Sequence, residues 1–122
     1  MSKKILVVDD EQDILTSVKM LLDNDGYKVT AVDNGKEALQ LLQKEKFDLV
    51  LLDILMPEMS GNEVAEEIRK NPKTKNQKIA FLTVVTLGEE GKALVQKLKP
   101  ADYIQKPFKT AEFRKRIKKL MD

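Results

Sequence analysis

Ile5-Leu6-Val7-Val8-Asp9-Asp10 is the stretch that decides the reading of this chain. An unbroken aliphatic run fits a strand covered on both faces, as in parallel sheets, and here it stops at two carboxylates. A second run, Phe47-Asp48-Leu49-Val50-Leu51-Leu52, stops at Asp53. Charged side chains are almost never fully buried without a partner. Strands that end in acids therefore predict a small acidic cluster at one rim of a sheet. Two later apolar stretches end in Leu82-Thr83 and in Lys106-Pro107, adding a hydroxyl and an ammonium. An acid pair, a third acid, a hydroxyl and a lysine form a site for a divalent cation and a phosphoryl group.

Outward from these runs the chain alternates strand and helix. Strands are predicted at 4–8, 28–32, 48–52, 79–83 and 101–105. The second (Lys28-Val29-Thr30-Ala31-Val32) and the fifth (Ala101-Asp102-Tyr103-Ile104-Gln105) are the least apolar and suit sheet edges. Helices follow from apolar periodicity and caps. Ile14, Leu15, Val18, Leu21 and Leu22 share one face of the first, closed by Asp25-Gly26. Asn34 with Glu37, and Ser60 with Glu63, read as capping boxes for the second and third, and Asn71-Pro72 stops the third. Thr86 and Glu89 open a fourth carrying Leu94, Val95 and Leu98, and Thr110 opens a fifth carrying Phe113, Ile117 and Leu120.

Five βα units without repeat or linker predict one α/β domain over residues 1–122, with a parallel sheet. Right-handed crossovers put helices on both of its faces. In such sheets the functional crevice lies beyond the carboxyl ends of the strands, near the point where strand order reverses. Asp9, Asp10, Asp53, Thr83 and Lys106 all fall on that rim.

Composition narrows the chemistry. The chain lacks cysteine and histidine, which excludes disulfides, thiolate catalysis, Ser-His-Asp triads and phosphohistidine within it. Any bound ion must be hard and oxygen-ligated, which favours magnesium, manganese or calcium. No apolar run approaches the ~18 residues of a membrane span, and the N-terminal apolar stretch is too short for a signal peptide; the expected location is the cytoplasm. Residues 92–122 hold ten Lys/Arg against three acids. This basic segment reads as a solvated helix face suited to the helix dipole. No aromatic or arginine-rich recognition pattern accompanies it, so nucleic acid is not an expected partner.

Clustered carboxylates repel one another unless neutralised, and a divalent cation and Lys106 can both do so. Asp10 and Asp53 are the expected direct ligands, with Asp9 binding directly or through water and a backbone carbonyl after Asp53 completing the set. A carboxylate can also attack phosphorus and form an aspartyl phosphate. Asp53 is the best acceptor, because Asp9 and Asp10 flank it while Thr83 and Lys106 supply donors to the transferring oxygens.

Four motifs carry a resemblance that spans the chain: Ile5–Glu11, Leu51-Leu52-Asp53-Ile54-Leu55-Met56-Pro57-Glu58-Met59-Ser60-Gly61, Phe81-Leu82-Thr83 and Asp102–Phe108. The sequence resembles response-regulator receiver domains of two-component signalling, the chemotaxis-type single-domain regulators among them. The resemblance implies a flavodoxin-like sheet of order 2-1-3-4-5 with five helices. It implies phosphoryl transfer to Asp53 from a histidine kinase or phosphotransfer protein. It further implies magnesium (or manganese) on Asp9, Asp10, Asp53 and the Leu55 carbonyl, and a cis bond between Lys106 and Pro107. Lys106 contacts the phosphoryl group in that scheme. Thr83 and Tyr103 are the switch residues, and the surface of helix four, strand five and helix five passes the signal to an output protein. Such a domain is a monomer or weak homodimer and a switch rather than an enzyme.

Three departures from the usual pattern stand out. Val84 replaces a small residue. Leu55 and Val85 are apolar and unable to orient an attacking water, so slow loss of the phosphoryl group is expected. Leu98-Lys99-Pro100 replaces a lead-in to strand five that usually contains glycine. An aspartyl phosphohydrolase fits less well, since its acid/base carboxylate would stand at Leu55.

Overall fold

The computed structural model describes residues 2–122. Its elements alternate as β1 (Lys4–Val8), α1 (Gln12–Asn24), β2 (Lys28–Val32), α2 (Gly35–Lys44), β3 (Leu49–Leu52), α3 (Gly61–Lys70), β4 (Ile79–Thr83), α4 (Glu89–Lys97), β5 (Asp102–Gln105) and α5 (Thr110–Met121). The sheet has the order β2-β1-β3-β4-β5, and every pairing is parallel. This is the flavodoxin-like arrangement that the resemblance implies. β3 and β5 each start one residue later than predicted.

Alternation along the strands divides the interior into two layers. Leu6, Val8, Val50, Leu52, Ile79 and Phe81 pack with Ala38 and Leu42 of α2, Val64 and Ile68 of α3, and Val95 of α4. Ile5, Val7, Leu49, Leu51, Ala80 and Leu82 pack with Leu15 and Val18 of α1 and with Phe113 and Ile117 of α5. β1, β3 and β4 are covered on both faces, hence their continuous apolar runs. The polar β2 and β5 lie at the edges as predicted.

Helix ends follow the sequence with three local differences. Ser60 and Glu63 form the full capping box of α3. Asn34 accepts from the Glu37 N–H at 2.8 Å, but the Glu37 carboxylate meets the Asn34 side-chain amide instead of returning to the backbone. The start of α4 is capped by Gly88 and not by Thr86, because the Thr86 hydroxyl accepts a hydrogen bond from Gln105 on β5. Lys109, rather than Thr110, is the N-cap of α5. Leu94, predicted on the apolar stripe of α4, is 60% exposed, so this helix is held mainly by Val95 and Leu98.

The end of α4 is secured from outside. Lys99 adopts φ 53°, a left-handed conformation that glycine takes more readily. Arg69 of α3 fixes this turn. Its guanidinium donates to the carbonyls of Leu98 (2.7 Å) and Lys99 (3.2 Å) and, on the other side, to those of Lys75 (3.0 Å) and Gln77 (2.6 Å). Burial lowers the Arg69 pKa, but the planar five-donor fork keeps its charge and matches four acceptors that lysine could not span. Arg69→Met is expected to cost about 2–4 kcal/mol, with Arg69→Lys recovering less than half. Thermal melts check this, and a melting point unchanged in Arg69→Met would contradict it.

Candidate functional site

Strand register brings the acids together. Val8 pairs with Leu52, so the next residues, Asp9 and Asp53, leave adjacent strands side by side. Their backbones stay tied to the sheet, since the Asp9 N–H donates to Val32 and the Asp53 N–H to Val8. Strand order reverses between β1 and β3, where a crevice at the carboxyl ends is expected. Asp9, Asp10 and Asp53 each place a carboxylate oxygen within 4.8 Å of the others. That spacing is close to the ~4 Å separating opposite oxygens around a magnesium ion with ~2.1 Å bonds. Three hard oxygen donors, with Asp10 the most exposed, fit such an ion.

Lys106 reaches this cluster from the far side of the sheet. Its N–H donates to the Thr83 carbonyl at 2.8 Å, fixing the turn beyond β5, and its peptide bond to Pro107 is cis as expected. The side chain is buried, and Nζ stands 2.7 Å from Asp9 Oδ2, 3.2 Å from Glu11 Oε1 and 3.6 Å from Asp53 Oδ2. Burial on its own would lower the Lys106 pKa. The hydrogen bond and charge of Asp9, then the charge of Asp53, outweigh it and raise the pKa, so the ammonium persists. Asp9 feels opposed effects: burial raises its pKa, while Lys106 and the Glu11 N–H lower it, and burial is the larger.

Local backbone geometry presents Asp53. Its Oδ1 accepts from the Leu55 N–H at 3.3 Å, so it is the amide of Leu55 that bonds this carboxylate. The Leu55 side chain is 56% exposed beside it. The following loop folds back tightly, with the Gly61 N–H donating to Ile54 at 2.9 Å. A Cβ on Gly61 would lie 2.1 Å from the Asp53 carbonyl oxygen, so close approach of backbones demands glycine here.

The other two sequence-predicted residues, Thr83 and Tyr103, stand on β4 and β5. Thr83 is fully buried at the end of β4, and its Oγ1 accepts from the Val85 N–H at 3.4 Å, leaving its own proton free to donate. Tyr103 stands apart on β5, half-buried against Phe81 at 6.0 Å between ring centroids, and its hydroxyl donates to the Val85 carbonyl at 2.7 Å. One residue, Val85, thus touches both. Burial, and then the negative charge of Asp53, raise the Tyr103 pKa, so the phenol senses the site without touching it. Glu11 is the site residue that sequence reasoning passed over. The run Asp9-Asp10-Glu11 was its only signal.

The pattern of the response regulator receiver domain matches residues 5–118. The chain belongs to this family. As a receiver domain of two-component systems it is 38% identical over 124 residues to the alkaline phosphatase synthesis transcriptional regulatory protein PhoP of Bacillus subtilis, covering 99% of this chain and 49% of PhoP. The receiver thus spans about half the length of that relative. Among solved structures, the chemotaxis protein CheY4 of Vibrio cholerae superposes with a TM-score of 0.90 at 31% identity, covering 98% of this chain and 99% of CheY4. The response regulator TrrA of Thermotoga maritima, in complex with Mg(2+)-BeF, gives 0.82 at 41% identity, covering 97% of this chain and 98% of TrrA. Among the described residues, no helix of the receiver is long and apolar enough to cross a membrane.

Proposed function

We propose that residues 1–122 act as a phosphorylation-controlled switch that accepts a phosphoryl group on Asp53 from a histidine kinase or phosphotransfer protein. The observation carrying this reading is the buried Asp53 carboxylate, level with Asp9 and facing the Lys106 ammonium at 3.6 Å. An Asp53 oxygen attacks phosphorus as the bond to the donor's leaving group breaks, and the leaving group departs with the electron pair. Asp9, Asp10 and Asp53, with the Leu55 carbonyl, would hold magnesium, with manganese as a substitute. When bound, the cation neutralises charge on the transferring oxygens. Lys106 and the Thr83 hydroxyl donate to those same oxygens.

Turning Thr83 toward the phosphoryl group releases the Val85 N–H, and Val85 also holds Tyr103. The event therefore reaches the surface of α4, β5 and α5, where an output protein reads it. Charge-assisted bonds present in only one state supply the bias. The chain works as a cytoplasmic switch rather than an enzyme, as a monomer or weak homodimer.

Incubation with acetyl phosphate and magnesium, followed by intact mass, tests the reading. One added phosphate is expected, abolished by Asp53→Asn and by chelation of the metal. Full modification of Asp53→Asn would overturn it. Followed over time, the same samples report the lifetime. Apolar Leu55 and Val85 predict slow hydrolysis, and decay within seconds would contradict that.

A further inference from the structure

Glu11 is the N-cap residue of α1, yet its side chain makes no capping bond. Its carboxylate instead accepts from Lys106, 95 residues away in the chain, at 3.2 Å. An ammonium has three protons to give. Lys106 gives one to Asp9 and one to Glu11, while Asp53 at 3.6 Å lies beyond hydrogen-bond reach. The acceptor residue thus has the weakest hold on the lysine meant to serve it. Exposure separates the two competitors: the Asp9 side chain is 1% exposed and that of Glu11 57%. Letting go of Asp9 strands a buried charge. Glu11 returns to water at little cost.

We propose that Glu11 is a positioning residue, a latch that draws the Lys106 ammonium toward the rim and holds it short of bonding distance to Asp53, and releases it when a phosphoryl group arrives there. The proposal rests on Asp53 being the acceptor. It adds a residue that sets how readily the site takes up phosphate. The exposed carboxylate leaves and the buried one stays, so Lys106 keeps its place over the crevice while changing one partner.

The test compares initial rates of modification by acetyl phosphate, read by intact mass, in wild type, Glu11→Gln and Glu11→Asp. In this reaction an Asp53 oxygen bonds phosphorus, the bond from phosphorus to the acetyl oxygen breaks, and acetate leaves with the electron pair; no proton moves. Gln keeps the length of the side chain and loses the charge. Asp keeps the charge and loses the reach, and as a favoured N-cap it has α1 to bond instead. Both variants are expected to react about three- to fivefold faster than wild type, the scale of one half-exposed ion pair. If Glu11→Asp reacts at the wild-type rate and only Glu11→Gln is faster, the local field and not the contact is responsible, and the latch is wrong. Equal rates in all three also overturn it. A wild type that takes up no phosphate at all fails the assignment of Asp53 itself, a result distinct from unchanged variants. Glu11 is exposed, so folding is not at stake, and thermal melts of the three proteins verify this.

Discussion

Gly61→Ala is expected to destabilise the receiver by about 3 kcal/mol and to abolish most phosphoryl uptake at Asp53. The added Cβ meets the Asp53 carbonyl oxygen at 2.1 Å, and the Asp53 carbonyl carbon and the Ile54 Cα at 2.8 Å. These are backbone atoms, which cannot swing aside as the end of a side chain can. Either the start of α3 retreats, breaking the Gly61 N–H bond to Ile54, or the segment carrying Asp53 shifts. Either movement misplaces the carboxylate relative to Lys106. Gly88→Ala is the steric control, since nothing lies within 4 Å of a Cβ there; as the N-cap of α4 it should cost no more than about 1 kcal/mol and leave phosphoryl uptake unchanged. Melting temperature and intact mass read the two effects. A fall of roughly 10 °C is expected for Gly61→Ala, and a variant that melts with wild type and is modified at the same rate would contradict the packing argument.

Lys106→Met is expected to lose about 3–5 kcal/mol in metal-free solution at neutral pH. The substitution roughly preserves volume and removes the sole cation within 4 Å of Asp9 and Asp53 among the described residues. Two buried carboxylates then face each other. Their repulsion and lost hydrogen bond add to the burial that already raises the Asp9 pKa, pushing it further up. A carboxyl whose pKa is raised on folding binds more protons folded than unfolded, so its contribution to stability falls as pH rises through the two values. The deficit of Lys106→Met relative to wild type should therefore shrink on acidification. Millimolar magnesium should shrink it too, because the ion replaces the missing positive charge and stabilises the folded state by mass action. Melts in magnesium and in chelator measure this. A variant as stable as wild type in chelator, or indifferent to magnesium, would show that Lys106 does not offset the acids.

The fold and the acidic rim were legible because they rest on short-range patterns. Apolar runs ending at Asp9, Asp53 and Thr83 specify both the buried strands and the polar residues at their ends. Strand order is another matter: no composition or periodicity in residues 28–32 says that they pair beside β1, and the order came through the family resemblance. Contacts between distant residues were illegible for the same reason. Arg69 reads as one more exposed helix cation, since backbone carbonyls, its four partners, leave no trace in a sequence. Glu11 meets Lys106 across nearly the whole chain. The exposure of Leu94 and the left-handed turn at Lys99 depend on how α4 is seated, which its internal Gly91, its N-cap Gly88 and its weak stripe leave unspecified.

Tyr103 and Ile104 are neighbours in β5, yet they point into opposite layers of the interior. The sheet is therefore a bulkhead. Whatever Tyr103 does on the α4 side, the aromatic stack of Phe108 and Phe113, with centroids at 4.4 Å, sits in the other compartment with α1 and α5. A rearrangement confined to the Tyr103 layer would therefore leave the packing of Phe108 and Phe113 against the other face of the sheet untouched.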